Sequence, residues 1–437
     1  MSTPALSADD LAPGVEVQVD IGPVAHGGHC VARFDRRVIF VRLALPGERA
    51  VVRITEARAG SFCRGEVVRV LDADPRRIPA PCGHFGPGGC GGCDFQHAEL
   101  PLQRELKARV VTEQLRRLAG LDVEVTVEPL PGDGFGWRGR VRWALDPDGR
   151  IGPRRVRSHQ VAPISGVQPC LIAGPALNAV TDTLDVPPHV RSSPPRRAGR
   201  SPEGRRGRRE GRRAADPLPE VLLAQAADGR VTVTWPGAER GPSAVLTERA
   251  VGRDFAVAAD GFWQPHLWAA DALAEAVRVA LDGTDLTGRT GWDLYGGVGL
   301  FAEVLARAVG ETGTVVCVES DERAAALAAA NLAGHSGTTV RTGLVERVLP
   351  DLDPSVDAVV LDPPRSGAGA RVCTMLADLR PVVVVYVACD PAALARDTAA
   401  LLAGGYRLDS LRALDTFPQT HHVECVARFV RAPGEDP

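Results

Sequence analysis

A chain of 437 residues is longer than a single hydrophobic core organises, so about two or three domains are expected. With 44% hydrophobic and 24% charged residues, and no apolar run near the roughly 18 residues of a membrane span, the composition argues for a cytoplasmic protein with no membrane partner. A net charge of −3 gives no global basic signature, and residues 1–10 lack a secretory pattern, so ten cysteines point to metal binding or catalysis in a reducing compartment and away from a disulfide framework.

Four short β-forming runs lie at the start: Val15-Glu16-Val17-Gln18-Val19, Val38-Ile39-Phe40-Val41, Ala50-Val51-Val52-Arg53-Ile54 and Gly65-Glu66-Val67-Val68-Arg69-Val70. Gly, Pro and Asp punctuate them, as expected of a small β domain over 8–72, either an oligonucleotide-binding barrel or another β fold. A Cys- and Gly-rich segment follows, in which Cys82, Cys90 and Cys93 read C-x7-C-x2-C, with Cys170 after a long gap. Four thiolates with a C-x2-C knuckle can hold zinc or a [4Fe-4S] cluster, and spacing does not choose between them. Cys30, Cys63, Cys317, Cys373 and Cys425 read as core. A helix is predicted over 102–119 with Leu106, Val110, Leu115 and Leu118 near one face.

The α+β central region runs over 80–187 and is completed by 218–260. In it, Trp137-Arg138-Gly139-Arg140-Val141-Arg142-Trp143 and then Arg150, Arg154, Arg155 and Arg157 interleave aromatics with cations, a pattern that grips phosphates and stacks on bases. Residues 188–217 are rich in Arg, Pro and Gly and read as a disordered linker. Within 218–437 the pattern becomes helices alternating with apolar strands, which is a doubly wound parallel sheet. Arginine supplies nearly all the positive charge and Lys107 is the sole lysine, a bias that composition alone explains.

Asp293-Leu294-Tyr295-Gly296-Gly297-Val298-Gly299 closes a strand and opens a helix, where such sheets bind ligands, and Glu319 ends the next strand as a ribose-hydroxyl acceptor would. The turn lacks G-x-G-x-x-G, and Asp293 would repel a pyrophosphate. S-adenosylmethionine, cationic and without phosphate, suits this pocket better. A further strand ends in Leu361-Asp362-Pro363-Pro364-Arg365, where adenine amino-methyltransferases carry an aromatic in place of Arg365. That disfavours an exocyclic-amine acceptor. Finally, an apolar strand ends in Cys389-Asp390-Pro391, with Asp390 a good N-cap and Pro391 a good first helical residue, so the helix start favours thiolate at Cys389. Glu424 follows in His421-His422-Val423-Glu424, whose adjacent histidines, read as a strand, point to opposite faces.

With these motifs the chain resembles the RNA (uracil-5)-methyltransferase family, which makes 5-methyluridine in ribosomal or transfer RNA. The resemblance implies a class I, Rossmann-like methyltransferase domain and a TRAM-like barrel carrying Val38-Ile39-Phe40-Val41 and Leu45-Pro46-Gly47-Glu48. It implies that Gln264 (in Phe262-Trp263-Gln264), Tyr295 and Glu319 bind S-adenosylmethionine, that Asp362 lies between cofactor and base, that Cys389 is the nucleophile and Glu424 the base. It also implies that Cys82, Cys90, Cys93 and Cys170 hold a [4Fe-4S] cluster, with zinc the lesser option, although the gap after Cys82 is longer than in many members. Some members have Asn where His266 and Leu300 stand, and those contacts do not carry over. The expected partner is RNA, ribosomal ahead of transfer, and the protein a monomer. The competing readings are an amino-group nucleic-acid methyltransferase and a non-catalytic iron-sulfur RNA-binding protein.

Overall fold

The computed structural model describes residues 7, 10–58, 62–187, 190, 219–235 and 243–432. Apart from Val190, the Arg-rich segment expected to be disordered lies outside the described residues. Strands β1 (Glu16–Ala25), β2 (His29–Phe34), β3 (Arg37–Arg42), β4 (Arg49–Ala57) and β5 (Phe62–Asp72) close a barrel in the order β1-β2-β3-β5-β4. Val17, Val19 and Ile21 point inward while Glu16, Gln18 and Asp20 face water, the period of two that a one-sided strand requires. Strand β2 carries no strong apolar signal because its inward residues, Cys30 and Ala32, are small.

Helix α1 (Leu100–Gln114) ends earlier than predicted, widens into one π turn at Leu115–Ala119 and stops at Gly120, whose left-handed φ of 68° suits glycine. Its buried face holds Leu102, Leu106 and Val111, but also Gln103 and Lys107, while Leu118 is exposed. The central region forms a four-stranded sheet from β7 (Arg140–Leu145), β8 (Ile151–Gly152), β9 (Glu220–Gln225) and β10 (Val231–Thr234), and sends β6 (Val127–Pro129) into the next domain. Helix α2 (Pro175–Asp182) covers this sheet through Leu177. Trp137 and Trp143 are 4% and 3% exposed. They are core residues, so the expected base-stacking surface does not exist there; alternation along β7 turns Trp143 inward with Val141 and Leu145.

A hairpin, β11 (Val245–Ala250) and β12 (Arg253–Ala258), leads through α3 (Ala269–Leu281) into the C-terminal sheet. There β13 (Thr290–Leu294), α4 (Leu300–Val309), β14 (Thr314–Glu319), α5 (Glu322–Asn331), β15 (Thr338–Thr342), α6 (Val345–Val348), β16 (Ala358–Leu361), α7 (Gly369–Leu379), β17 (Val383–Ala388) and α8 (Pro391–Ala403) alternate as expected. The sheet order is β15-β14-β13-β16-β17-β19-β18-β6, with β18 (Tyr406–Asp415) and β19 (Glu424–Arg431) forming an antiparallel pair beside β17. All six residues of β17 are buried, as a strand with neighbours on both edges and helices on both faces must be. Among the described residues no helix is long and apolar enough to cross a membrane.

The loop between β18 and β19 is held from outside its own domain. Lys107 Nζ, fully buried, donates to Asp415 Oδ1 at 2.5 Å and to the Phe417 carbonyl at 3.0 Å. Gln103 exchanges two hydrogen bonds with Gln419, each 2.9 Å, and the Asp94 and Phe95 amides donate to the Gln419 carbonyl at 2.8 and 3.0 Å. Replacing Lys107 by Met strands the Asp415 charge in a dry site, and an unfolding titration should register a loss of about 3–5 kcal/mol. The double variant Lys107→Met, Asp415→Asn should recover a substantial part of it.

Candidate active site

The sheet register gathers the candidate residues at one edge. Leu294 pairs with Val318 and Leu361, and Leu361 with Tyr386, so Tyr295, Glu319, Asp362 and Cys389 all leave or end strands at the carboxyl side. Strand β19 runs the other way and begins with Glu424. Ala388 pairs with Cys425, and one further step of that antiparallel register sets Cys389 opposite Glu424.

The glycine turn is sterically fixed. A Cβ on Gly296 would lie 2.4 Å from Cys317 Sγ and 2.9 Å from Asp293 Oδ2, and Tyr295 before it holds a left-handed φ of 64°. Gly297 N donates to Glu319 Oε2 at 2.9 Å, so the acid at the end of β14 is aimed at the turn. Asp293 does not face the ligand side as a repelling charge. It lies beneath the turn, 0% exposed, and accepts from the Ala302 amide at 2.8 Å. Burial pushes its pKa up to about 8, which keeps it mostly protonated at neutral pH.

Asp390 caps α8 as expected, its Oδ1 accepting from Ala393 N at 2.8 Å, and Pro391 opens that helix. The thiol beside it is nonetheless not ionised at rest. Burial first, then the charges of Glu424 and Asp362, push the Cys389 pKa up to about 12, outweighing the helix start and the opposing Arg365 guanidinium. Glu424 is 5% exposed and its Oε2 has no hydrogen-bond partner among the described residues. Burial, and after it the nearby Asp362 carboxyl, hold Glu424 well above the usual carboxylate range, with Arg365 opposing, and burial raises Asp362 too. Acids so placed are strong bases once ionised. The loop after Asp362 is anchored by Asp397, whose Oδ2 accepts from Ala368 N at 2.7 Å and from the Tyr386 hydroxyl at 2.6 Å.

Gln264 comes from outside the sheet, buried on the segment joining β12 to α3, two residues before His266, whose ring stacks on Trp137 at 5.4 Å. Cys82, Cys90 and Cys93 line one cavity of about 730 Å³ together with Cys170, which is distant in sequence. Gly92 N donates to Cys90 Sγ and Gln96 Nε2 to Cys93 Sγ, both at 3.2 Å. Burial, with the neighbouring Cys170 and Cys82 adding, pushes the Cys90 thiol up to about 11. Among the described residues no three His, Cys, Asp or Glu side chains close on a point that a single metal ion would fill. Cys30, Cys63, Cys317, Cys373 and Cys425 are buried, as core residues should be.

Sequence reading missed several neighbours of the site. Arg365 Nη2 lies 3.3 Å from His422 Nε2, and His26, on the turn after β1, meets Asp390. His421 and His422 do not point to opposite faces; they precede β19 in an irregular loop, and their rings stand 4.0 Å apart. His421 Nδ1 is 2.6 Å from Asp94 Oδ2, next to Cys93. Only the run of polar residues in 415–424 could have signalled that this loop is tied down.

The TRAM domain family matches residues 11–70, and the tRNA (uracil-5-)-methyltransferase family matches residues 349–431. A protein of Streptomyces avermitilis described as an uncharacterized RNA methyltransferase is 43% identical, covering 95% of this chain and 98% of the relative. The 23S rRNA (uracil(1939)-C(5))-methyltransferase RlmD of Pseudomonas putida is 33% identical, covering 95% and 94%. The structure of a Pyrococcus abyssi tRNA (uracil-54, C5)-methyltransferase in complex with S-adenosyl-L-homocysteine is similar with a TM-score of 0.66 at 22% identity, covering 95% of this chain and 100% of that one. The last likeness establishes the fold.

The buried Asp293 makes stability depend on pH. Its folded pKa of about 8 exceeds the ordinary 3.8, so between these values the folded state holds a proton that the unfolded state has lost. Wild type should therefore lose stability relative to Asp293→Asn as pH rises across that window, at up to about 1.4 kcal/mol per pH unit, and the difference should level off above it. Thermal unfolding of both proteins at a series of pH values measures this.

Proposed function

The chain belongs to the RNA (uracil-5)-methyltransferase family, and from that premise we propose that it methylates carbon 5 of a uridine in ribosomal RNA through a covalent adduct at Cys389. The observation that carries the mechanism is the β17–β19 register, which sets a thiol against a buried carboxyl at the strand ends. The likeness to a 23S rRNA enzyme along nearly the whole chain supports ribosomal over transfer RNA.

S-adenosylmethionine, when bound, supplies an electrophilic methyl group on a cationic sulfur. The residues present fit it: a glycine turn with no room for a side chain at Gly296, Glu319 aimed at that turn, Tyr295 after β13 and Asp362 after β16. Gln264 would contact it from the β12–α3 segment. Carbon 5 of uracil is a poor nucleophile until Cys389, its proton released to solvent water, forms a bond to carbon 6 and sends the ring π electrons toward the carbonyl as an enolate. After carbon 5 has gained the methyl group, ionised Glu424 takes its remaining proton. The freed electron pair re-forms the ring double bond and expels the Cys389 thiolate. Arg365 beside both groups stabilises the anionic forms, and a general base of raised pKa contributes about 10²- to 10⁴-fold. The target uridine must leave its stack, at a cost of a few kcal/mol.

Cys82, Cys90, Cys93 and Cys170 would hold a [4Fe-4S] cluster, which would tie the loop at 82–93 to the segment that carries Cys170. The amide donors to Cys90 and Cys93 suit sulfurs that carry negative charge as thiolate ligands. All four cysteines line one cavity, which supports a shared site for them. Protein purified without oxygen should contain iron and acid-labile sulfide in equal amounts.

Methyl transfer to ribosomal RNA from cells lacking the gene should be abolished by Cys389→Ala. In Glu424→Gln the adduct forms but cannot resolve, so a denaturation-resistant protein–RNA complex should accumulate. Because both the thiol and Glu424 act ionised and both pKa values are raised, kcat/KM should climb with pH through and beyond neutrality. An acid limb in the ordinary carboxylate range would contradict this assignment.

A further inference from the structure

The turn between β1 and β2 carries the barrel into the reaction centre. His26 Nε2 donates to Asp390 Oδ2 at 2.9 Å, while the other oxygen of that carboxylate caps α8. Two residues on, Gly28 has a φ of 74°, and a Cβ there would lie 2.7 Å from His421 Cβ and 3.3 Å from Asp94 Cβ. A single turn of the N-terminal barrel thus touches both halves of the site: the Cys389–Asp390 junction through His26 and the loop before Glu424 through Gly28. The fit is close, since the void bordered by His26, Gly28, Cys389, Asp390 and His421 is only about 10 Å³.

Asp390 presents a problem for the nucleophile. Its negative charge, adjacent in sequence, disfavours a thiolate at Cys389. A donor on its free oxygen withdraws that charge from the thiol and holds the capping geometry. The hydrogen bond to Asp390 raises the pKa of the His26 imidazole, with burial and Arg396 opposing. Burial works against the Asp390 carboxylate too, but the bonds from His26 and Ala393 leave its pKa below the ordinary value.

The geometry points to His26 as a positioning residue for the methyl-transfer reaction: a side chain of the TRAM barrel that orients Asp390 and neutralises it, and so sets the reactivity of Cys389. This role rests on the covalent reading above. It also gives the barrel a part in the chemical step beyond RNA contact, because RNA that shifts the barrel shifts a group bonded beside the nucleophile.

The test is single-turnover methylation of ribosomal RNA at saturating RNA and S-adenosylmethionine, with full-length wild type, His26→Ala, His26→Gln and the double variant His26→Ala, Asp390→Asn. His26→Ala should lower the single-turnover rate constant about tenfold, the scale of a sub-ångström misplacement, with KM for RNA changed less than about twofold. His26→Gln, which keeps a donor, should stay within about threefold of wild type, and Asp390→Asn should raise the rate of the His26→Ala enzyme, which loss of a mere strut would not allow. A His26→Ala rate equal to wild type, a defect confined to the KM for RNA, or no gain from Asp390→Asn would each overturn the assignment. Wild type that forms no methyl product overturns the covalent reading itself, and with it this inference.

Discussion

One antiparallel pairing governs the chemistry available to this molecule. Strand β19 runs against the last parallel strand, β17, and so brings the start of one strand against the end of the other. A purely parallel sheet would have put every strand start at the far side of the domain. Because β19 is reversed, Glu424 arrives where Cys389, Asp362 and the glycine turn already stand. The same pairing crowds ionisable groups: a thiol and two carboxyls lie close together and out of the solvent's full reach, and their pKa values all rise. Such a site is quiescent alone and suited to a cationic methyl donor, whose charge would draw those protons off.

The pocket belongs to the C-terminal domain, yet much of what fixes it does not. The loop that delivers Glu424 is clamped by Lys107 and Gln103 from the helix following the cysteine segment, and by Asp94 from that segment itself. Strand β6 of the central region extends the catalytic sheet alongside β18. A buried amine paired at 2.5 Å tolerates little displacement, so these ties fix the loop before Glu424 from other parts of the chain.

The sheet, its crossover helices and the strand-end residues were legible in the sequence because apolar runs, glycines and caps there act locally. Asp390 and Pro391 announce a helix start whatever surrounds them. The barrel was legible in four of its five strands, the exception being β2, whose inward Cys30 and Ala32 lack the bulk that marks a buried face. Electrostatics were not legible. Whether Cys389 is thiolate depends on Glu424 and Asp362, which reach it only in space, and the balance came out opposite to that expected from the helix start. Trp137 and Trp143 show the same limit, since interleaved cations and aromatics look alike whether the rings face RNA or the core. Lys107 gave no periodic signal at all, being a charge on a buried face, yet it holds the loop that leads to Glu424.

The central claim is that the Cys389 sulfur bonds to the pyrimidine during turnover. Ribosomal RNA carrying 5-fluorouridine retains a carbon–fluorine bond that no base can remove, so the adduct should persist after denaturation and, on digestion, mass spectrometry should place the nucleotide on the peptide bearing Cys389. Methyl transfer to normal RNA without any such adduct on fluorinated RNA, or an adduct at another residue, would contradict the account.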